Sequence, residues 1–196
     1  MRRPPRGDVR RRLLTAALKL FSEQGYDGTS LEQVAAAAGF SKGAVYSNFA
    51  SKDDLFLALM DAKVQARINQ ARDVLTAPHD PAESAQLVGR RLTAALTDDR
   101  DWQLLFLDYV GRAVRDPAVR VQFVAHRRRV RQLIAEAARD LLGGNEAALD
   151  ANALATIILA LSNGLAIERL TDPDAVPGDL LGRVLENLIT PSEPVT

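Results

Sequence analysis

The sequence predicts an all-α protein with a small N-terminal head of three helices and a larger helical body. Three observations support this fold class. Apolar residues recur at the three- and four-residue spacing of amphipathic helices through most of the 196 residues, and no run of useful length alternates like a β-strand. Proline and glycine interrupt this pattern at intervals. Residues 29–52 have the pattern of two short helices joined by a glycine turn, the layout of a helix-turn-helix.

The first seven residues, MRRPPRG, are a basic segment with a Pro–Pro pair, for which we expect a disordered arm. This arm is either a solvated tail or a segment that contacts phosphates or the minor groove of DNA. The arginines that would make such contacts are Arg2, Arg3 and Arg6.

A first helix is predicted from Asp8, a capping residue, to about Gln24, with Gly25 just beyond its end. Three consecutive arginines, residues 10–12, lie in its first turn, where the helix dipole disfavours positive charge. They either bind a nearby phosphate or form a solvated charged face.

The second helix has two overlapping start signals. Thr29 with Glu32, or Ser30 with Gln33, fits the reciprocal pattern in which a hydroxyl and a side chain three residues later satisfy free backbone N–H groups. Apolar residues at helical spacing follow. Gly39 then stands where a helix commonly ends in a left-handed conformation, which glycine adopts without steric penalty.

The third helix follows at once, with Ser41 as its predicted cap and Phe40 as a hydrophobic peg in the turn. Val45 and Phe49, four residues apart, are predicted to point into the core of the head. The opposite face of this helix is small, polar and basic, which suits contacts with phosphates and base edges.

The predicted DNA contacts follow from the chemistry of each side chain. Lys42 and Lys52 would meet phosphates or guanine edges, Tyr46 a phosphate, and Ala44 a thymine methyl group. Thr29 or Ser30 would add a phosphate contact to its capping role. The full predicted set is Thr29, Ser30, Ser41, Lys42, Gly43, Ala44, Tyr46, Ser47, Asn48 and Lys52.

The segment GFSKGAVYSNFASKDDLF, residues 39–56, resembles the N-terminal signature of the TetR (tetracycline-repressor) family of bacterial transcription regulators. It departs at Phe40, bulkier than the usual Val, and at Asn48, where His is common. The matching positions are Gly39, Ser41, Gly43, Tyr46, Phe49 and Lys52. The resemblance implies a homodimer with a four-helix interface, bound to a palindromic double-stranded operator and released from it by a ligand.

Charge is distributed unevenly although the net charge is zero. Residues 1–50 carry eight Lys or Arg and four Asp or Glu, a net of +4, and the remaining residues carry −4. A basic head on an acidic body is typical of a DNA-binding protein. The chain has no cysteine, no apolar run of membrane-spanning length and no signal-peptide core, so we expect a soluble cytoplasmic protein without membrane partners.

The helical pattern continues from residue 51, and we place a domain boundary there. Residues 1–50 are the predicted DNA-binding domain, and residues 51–196 the predicted ligand-binding and dimerisation domain. The predicted body helices span residues 52–76, 82–97, 100–115, 117–142, 150–171 and 178–190.

Two body helices, residues 100–115 and 150–171, are apolar almost all round, which normally means burial on both sides. A monomer of this size can hardly bury both sides of its penultimate helix, and Ser162, Asn163 and Gly164 would let another helix approach closely. We therefore expect a two-fold dimer through the last two helices. The alternative is a deep core within one chain.

Polar residues within apolar helices are the candidates for ligand recognition. His126 lies on the apolar stripe of its helix, either as a hydrogen-bonded core residue or as a polar group in a cavity. Asp108 and Arg112, four residues apart, either pair with each other or orient a ligand. The candidate set, with a small apolar or amphipathic ligand, is Trp102, Phe106, Asp108, Tyr109, Arg112 and His126.

The residue inventory argues against an enzyme. Two histidines, His79 and His126, and no cysteine supply neither a metal cluster nor a catalytic triad, and no phosphate-binding glycine pattern occurs. We therefore expect no cofactor. The sequence predicts a DNA-binding regulator, and the resemblance to the TetR family implies a repressor that a ligand releases from DNA. The alternatives are an activator or dual regulator of the same family, and a helical small-molecule-binding protein that no longer reads DNA.

Overall fold

The computed structural model describes residues 5–76, 80–97, 99–142 and 149–189. All regular structure in these residues is helical, and the predicted all-α fold is confirmed. The helices are α1 (Arg6–Gly28), α2 (Leu31–Ala37), α3 (Lys42–Tyr46), α4 (Lys52–Leu75), α5 (Pro81–Thr97), α6 (Arg100–Arg115), α7 (Pro117–Leu142), α8 (Ala151–Thr171) and α9 (Leu180–Ile189). Arg2, Arg3, His79 and the side chain of Arg6 lie outside the described residues.

The described helices pack as two compact units. The first contains the described residues up to Lys63 together with Leu104–His126, and the second contains Val64–Gln103 and the described residues from Arg127 onward. Helices α4, α6 and α7 each contribute one part to each unit. The predicted division at residue 50 concerns domains with separate functions, and it stays a prediction.

Helix α1 begins earlier than predicted. Its first residue is Arg6, preceded by Pro5, while Asp8 pairs with Arg11 at 2.8 Å inside the first turn and does not cap the helix. Proline suits a helix start because its fixed φ is pre-organised and its missing N–H has no intrahelical partner there. Gly25 breaks the helical geometry with φ 73° and ψ 171°, a backbone conformation that is essentially open only to glycine. The predicted break at this position is therefore confirmed.

The core of the first unit is built around the start of α4. Six consecutive residues, Leu55–Met60, are all buried. Phe56 stacks on Tyr109 of α6 with ring centroids 4.1 Å apart, and it meets Tyr26 of α1 edge-on at 5.6 Å. One carboxylate oxygen of Asp53 accepts hydrogen bonds from the hydroxyls of Tyr26 and Tyr109, at 2.7 and 3.0 Å. Burial, reinforced by this carboxylate, raises the pKa of both tyrosines above the ordinary value.

The second unit depends on close contact between α5 and α9. A Cβ added at Gly89 would lie 2.2 Å from the Cα of Gly182, and one added at Gly182 would lie 2.8 Å from the carbonyl oxygen of Gln86. Only glycine at both positions lets these backbones approach so closely. The surrounding buried cluster comprises Val74, Ala85, Val88, Ala138, Leu154, Leu181, Leu185 and Ile189.

Helix α6 confirms one prediction and corrects another. Burial on both sides was predicted, and one apolar face is indeed buried: Trp102, Leu105, Phe106, Tyr109 and Ala113. The expected burial of the opposite face is wrong, because Leu107 and Val110 are only half-buried and Val114 is 64% exposed. Apolar residues around a whole helix therefore did not mean burial on both sides here.

Helix α8 is strongly apolar but little buried within its own chain. Among the described helices, it alone is long and apolar enough by composition to cross a membrane, a property that core helices of soluble proteins share. Only 17% of its apolar window is buried, and its buried residues are Leu154, Ala155 and Ala166. A Cβ at Gly164 would meet nothing within 4 Å.

Candidate nucleic-acid interface

The start of α2 is fixed by one of the two predicted capping signals. The Ser30 side chain accepts from the Gln33 N–H at 3.2 Å, and the Ser30 N–H donates to the Gln33 side chain at 2.7 Å. Thr29 does not take part in this reciprocal pattern. It is only 2% exposed, and its hydroxyl donates to the carbonyl of Gly25 at 3.0 Å. A buried hydroxyl that is already bonded to the backbone is poorly placed for the predicted phosphate contact.

The turn between α2 and α3 is a Schellman motif. Gly39 adopts φ 74°, its N–H donates to the carbonyl of Ala36, and the N–H of Phe40 donates to the carbonyl of Ala35. Arg12 from α1 completes the turn, because its guanidinium donates to the Ala38 carbonyl at 2.9 Å and lies 4.6 Å above the Phe40 ring. A cation is favourable at this position because the C-terminal end of a helix carries partial negative charge.

The arginines of the first turn of α1 have different partners. The guanidinium of Arg10 lies 4.6 Å above the ring of Phe49 and within 3.4 Å of the carbonyl oxygen of Asn48. Arg11 forms an exposed pair with Asp8. Arg10 and Arg12 are thus more than a solvated face, since they hold the end of α3 and the turn before it. Sequence periodicity missed this role because the partners are far away in the chain.

Helix α3 presents the predicted face to solvent. Val45 and Phe49 are buried, at 0% and 1% exposure, as predicted. Ser41 occupies the capping position, although its hydroxyl makes no capping hydrogen bond. The exposed residues are Ser41, Lys42, Gly43, Tyr46 and Ser47, and the half-buried ones are Ala44 and Asn48.

Two polar side chains of this face are anchored to the backbone of the same helix. The hydroxyl of Ser47 and the amide of Asn48 both donate to the Ala44 carbonyl, at 2.9 and 2.8 Å. These bonds close the end of a helix of only five residues. The Asn48 amide retains its oxygen as an acceptor for other partners.

Glu32 of α2 binds both donors that α3 carries at its ends. One of its carboxylate oxygens lies 2.6 Å from the Lys42 ammonium and 3.0 Å from the Tyr46 hydroxyl. The hydrogen bond with Lys42 is the main reason that the pKa of Glu32 falls to about 2. The same bond raises the pKa of Lys42.

Lys52, for which a contact with DNA was predicted, is bonded within the head instead. Its ammonium donates to the carbonyls of Tyr26 and Thr29, at 2.9 and 3.0 Å, and lies 3.4 Å from that of Asp27. It also lies 4.5 Å above the Tyr26 ring. An ammonium has three N–H donors, so these carbonyls leave none for the predicted phosphate or guanine contact. Lys52 instead ties the end of α1 to the start of α4.

The candidate ligand residues do not form the expected arrangement. Asp108 is exposed, and Arg112 pairs with Asp27 at 3.1 Å. The alternative in which Asp108 pairs with Arg112 is therefore not the one found. The hydroxyl of Tyr109 is bonded to Asp53. Trp102 and Phe106 are buried.

His126 is fully buried, and its Nε2 lies 2.8 Å from a carboxylate oxygen of Asp61. Neither of its ring nitrogens has a well-directed hydrogen bond. Three other buried donors also lack a hydrogen-bond partner. Nε of Arg112 belongs to the first unit, and Nη2 of Arg67 and Nε2 of Gln103 belong to the second. Within the described parts of the chain, no group of three or more His, Asp or Glu side chains could hold a metal ion.

Two family models match the chain. Residues 13–59 match bacterial regulatory proteins of the tetR family, and residues 81–190, more than half of the chain, match the C-terminal region of BetI-type transcriptional repressors. The chain belongs to the TetR family. Members of this family are transcriptional regulators and not enzymes; they bind operator DNA and typically form dimers. The TetR resemblance of residues 39–56 is thereby confirmed.

Curated relatives of this TetR-family chain include both activators and repressors. It is 32% identical over 117 residues to the transcriptional activator FasR of Mycolicibacterium smegmatis, a match that covers 55% of this chain and 50% of FasR. It is 29% identical over 119 residues to the transcriptional repressor AcnR of Corynebacterium diphtheriae, which covers 61% of this chain and 57% of AcnR. The chain thus spans about half the length of these relatives.

Solved structures of other regulators match nearly the whole chain. A transcriptional regulator from Rhodococcus sp. Rha1 is 25% identical with a TM-score of 0.67, covering 92% of this chain and 93% of its own. A regulator from Saccharomonospora viridis, solved in complex with choline, is 26% identical with a TM-score of 0.60, covering 93% and 96%. The TetR fold therefore extends over head and body alike.

Proposed function

We propose that this protein is a homodimeric, sequence-specific repressor that reads paired half-sites with α3 and leaves the DNA when its body binds a small amphipathic ligand. The observation that carries the proposal is the exposed polar face of α3, held on the head by the buried Val45 and Phe49. The proposed contact residues are Ser30, Ser41, Lys42, Gly43, Ala44, Tyr46, Ser47 and Asn48. Thr29 and Lys52 are not among them, because their polar side-chain atoms are bonded to carbonyls within the head.

The names of relatives support repression, and the chemistry of the chain supports a cytoplasmic location. AcnR is named a repressor, and the BetI-type model that covers residues 81–190 also describes repressors. FasR is named an activator, so activation is the second candidate. A protein that reads double-stranded DNA works where the bacterial chromosome lies, and a chain without cysteine suits that reducing compartment.

The proposed dimer is formed through α8 and α9. Most of the apolar residues of α8 are at least partly accessible within one chain, and Ile167 is 42% exposed. Exposed apolar surface of this kind is typical of protein–protein contacts. The open space around Gly164 would let a second helix approach closely. A two-fold dimer would present two copies of α3 to half-sites about 34–36 Å apart.

The proposed ligand carries a hydrogen-bond acceptor, such as a carboxylate, on an apolar body. Nη2 of Arg67 and Nε2 of Gln103 are buried donors without partners in the second unit. Leaving such a donor unpaired costs about 1–3 kcal/mol, which an acceptor on a ligand would recover. Burial lowers the pKa of Arg67, against a smaller opposing effect of Asp99, and a ligand anion would stabilise its charge. A cation such as choline, bound by the relative from Saccharomonospora viridis, is disfavoured beside this guanidinium.

The DNA proposal is tested by selection from random sequence. The wild-type protein should enrich one paired motif, and fluorescence anisotropy should show tighter binding to it than to a scrambled duplex at two salt concentrations. Ala44→Asp places a negative charge on the reading face and should weaken binding to the selected duplex by more than about tenfold, since like charges at an interface cost several kcal/mol.

Ala62→Asp is the matched control, because it makes the same change at an exposed position of α4. Equal losses in the two variants would contradict a reading role for α3. Failure of the wild-type protein to enrich any sequence would overturn the proposed function.

A further inference from the structure

Two donors on the reading face of α3 share one acceptor on α2. The Lys42 ammonium and the Tyr46 hydroxyl lie 2.6 and 3.0 Å from the same oxygen of Glu32. All three side chains are accessible, with exposures of 66% for Lys42 and 44% for Glu32, and 47% for the whole Tyr46 residue. The cluster therefore lies on the surface proposed to face DNA.

We propose that Glu32 is a specificity-determining residue. Its carboxylate neutralises Lys42, which weakens the attraction to DNA of arbitrary sequence, and it holds Lys42 and Tyr46 in position for the operator. This inference rests on the proposed function, since it concerns how α3 discriminates between duplexes. It assigns to α2 a part in reading DNA that the sequence did not indicate.

The pair is ionised throughout the physiological range. The pKa of Glu32 is lowered to about 2, mainly by its bond with Lys42, and that of Lys42 is raised by the same bond. A carboxyl with a depressed pKa loses its charge only as the pH falls towards that value. At neutral pH the cluster therefore carries one positive and one negative charge, and its net charge is zero.

Cancelling this charge weakens binding to non-specific DNA in particular. Non-specific affinity comes almost entirely from cations that neutralise phosphates and release counterions. A lysine already neutralised by a carboxylate releases fewer counterions than a free lysine would. The cluster therefore lowers the affinity for arbitrary sequences.

The same cluster leaves Lys42 able to take part in specific binding. An ammonium has three N–H donors, and Glu32 uses one of them, so Lys42 can bind a phosphate or a guanine edge without leaving Glu32. The Tyr46 oxygen likewise keeps lone pairs that can accept. Side chains held in one geometry lose less conformational freedom when DNA binds. The operator thus gains the positioned N–H donors of Lys42 and the Tyr46 oxygen as an acceptor, while other sequences lose electrostatic attraction.

The test is Glu32→Gln, which removes the negative charge while it keeps the shape of the side chain and one oxygen as acceptor. Its affinity is measured for the duplex selected by the wild-type protein and for a scrambled duplex of equal length, over a range of salt concentrations. The expected result is tighter binding to the scrambled duplex, by about two- to fivefold, the range that exposed ion pairs span. The slope of log affinity against log salt should steepen by about 0.9 for each freed lysine. The ratio of specific to non-specific affinity should fall.

Glu23→Gln is the matched control, because Glu23 is also exposed in the first unit and pairs with Lys19 at 3.9 Å. It should leave the ratio of affinities unchanged. In a Lys42→Met background, Glu32→Gln should no longer steepen the salt dependence, because the two side chains act as a pair.

Three results would overturn the inference: an unchanged ratio in Glu32→Gln, an equal fall in Glu23→Gln, or the same steepening without Lys42. Each of these requires a wild-type protein that selects a sequence. A wild-type protein that selects none would instead refute the proposed function, so the two failures are distinguishable.

Discussion

The partners that a side chain contacts decide whether it stabilises the head or remains available to recognise DNA. Lys42 and Lys52 are both lysines of the family signature region, and the sequence predicts a DNA contact for each. Lys42 is exposed beside Glu32, whereas the Lys52 ammonium is surrounded by carbonyls of the head. The two lysines therefore differ in how many donors remain for DNA, a difference that residue type cannot reveal.

Single side chains also decide which ligand the body binds. Octanoate, an apolar carboxylate, should raise the Tm, whereas choline should leave it unchanged. At one hundred times its Kd a ligand stabilises the folded state by about 2.7 kcal/mol. For a chain of this size that is a rise of about 5–10 °C. Arg67→Met should abolish the rise, while Arg72→Met, at an exposed position of the same helix, should retain it.

The first measurement is a thermal unfolding scan with each compound. In the second, the compound is added to the complex with the selected duplex, from which the proposed ligand should release the protein. A rise in Tm with choline and none with octanoate would contradict the proposed acceptor chemistry. Stabilisation by octanoate that persists in Arg67→Met would place the ligand elsewhere.

The helices of the head are held by contacts at their ends. Helix α2 has seven residues and α3 has five, and isolated helices of such length are unstable in water. Local signals supply part of the stabilisation, namely the Ser30–Gln33 capping box and the Gly39 turn. The rest comes from Arg10 and Arg12, which reach the end of α3 and the turn from another helix.

Lys52→Met tests whether the Lys52 ammonium stabilises the head by binding carbonyls at the end of α1. The substitution removes hydrogen bonds from an ammonium to the carbonyls of Tyr26 and Thr29. Hydrogen bonds of charged groups contribute about 1.5–3 kcal/mol, so the free energy of unfolding in urea should fall by about that amount. The salt dependence of DNA binding should stay as in the wild type.

The control is Lys19→Met, because Lys19 is 75% exposed and only loosely paired with Glu23. Its free energy of unfolding should change by no more than about 0.5 kcal/mol. If Lys52→Met kept its stability and its DNA binding depended less steeply on salt, the result would support the phosphate contact that the sequence predicted.

At the scale of the whole molecule, the accessible apolar surface of α8 bears on how the protein assembles. This helix is apolar along its length yet mostly unburied within one chain, while α9 packs tightly on α5 through Gly89 and Gly182. The close packing of α5 against α9 lies within one chain and does not depend on a partner. The exposed part of α8 is therefore the surface from which the proposed dimer follows.

Ile167→Glu should convert the dimer to a monomer, because it places a charge on the exposed apolar surface of α8. Gly164→Leu should do the same without affecting folding, since a Cβ at this glycine meets nothing within its own chain. Sedimentation equilibrium measures the association, and binding to paired half-sites should weaken in parallel.

Val121→Glu on α7 is the control, since Val121 is 71% exposed and lies outside the proposed interface. It should remain dimeric. A wild-type protein that sediments as a monomer at all concentrations, or an Ile167→Glu variant that remains dimeric, would contradict an interface through α8.

The sequence by itself determined the elements of this protein. Most predicted helix ends agree with the structure to within two residues, because periodicity, capping residues and glycine act over a few positions of the chain. The same local signals predicted the helix-turn-helix and its inward residues Val45 and Phe49. One exception is the end of α1, which lies at Gly28, beyond the break at Gly25. Another is the second face of α6, which is at most half-buried.

Only the tertiary structure decided which side chains meet. Arg12 reaches a carbonyl 26 positions away, Arg10 one 38 positions away, and Lys52 binds the end of α1. Glu32 appeared in the sequence only as a possible cap, and its bond to Lys42 depends on the angle at which α2 and α3 meet. Such pairings leave no periodic trace, because they depend on how separate helices pack and not on the order of neighbouring residues.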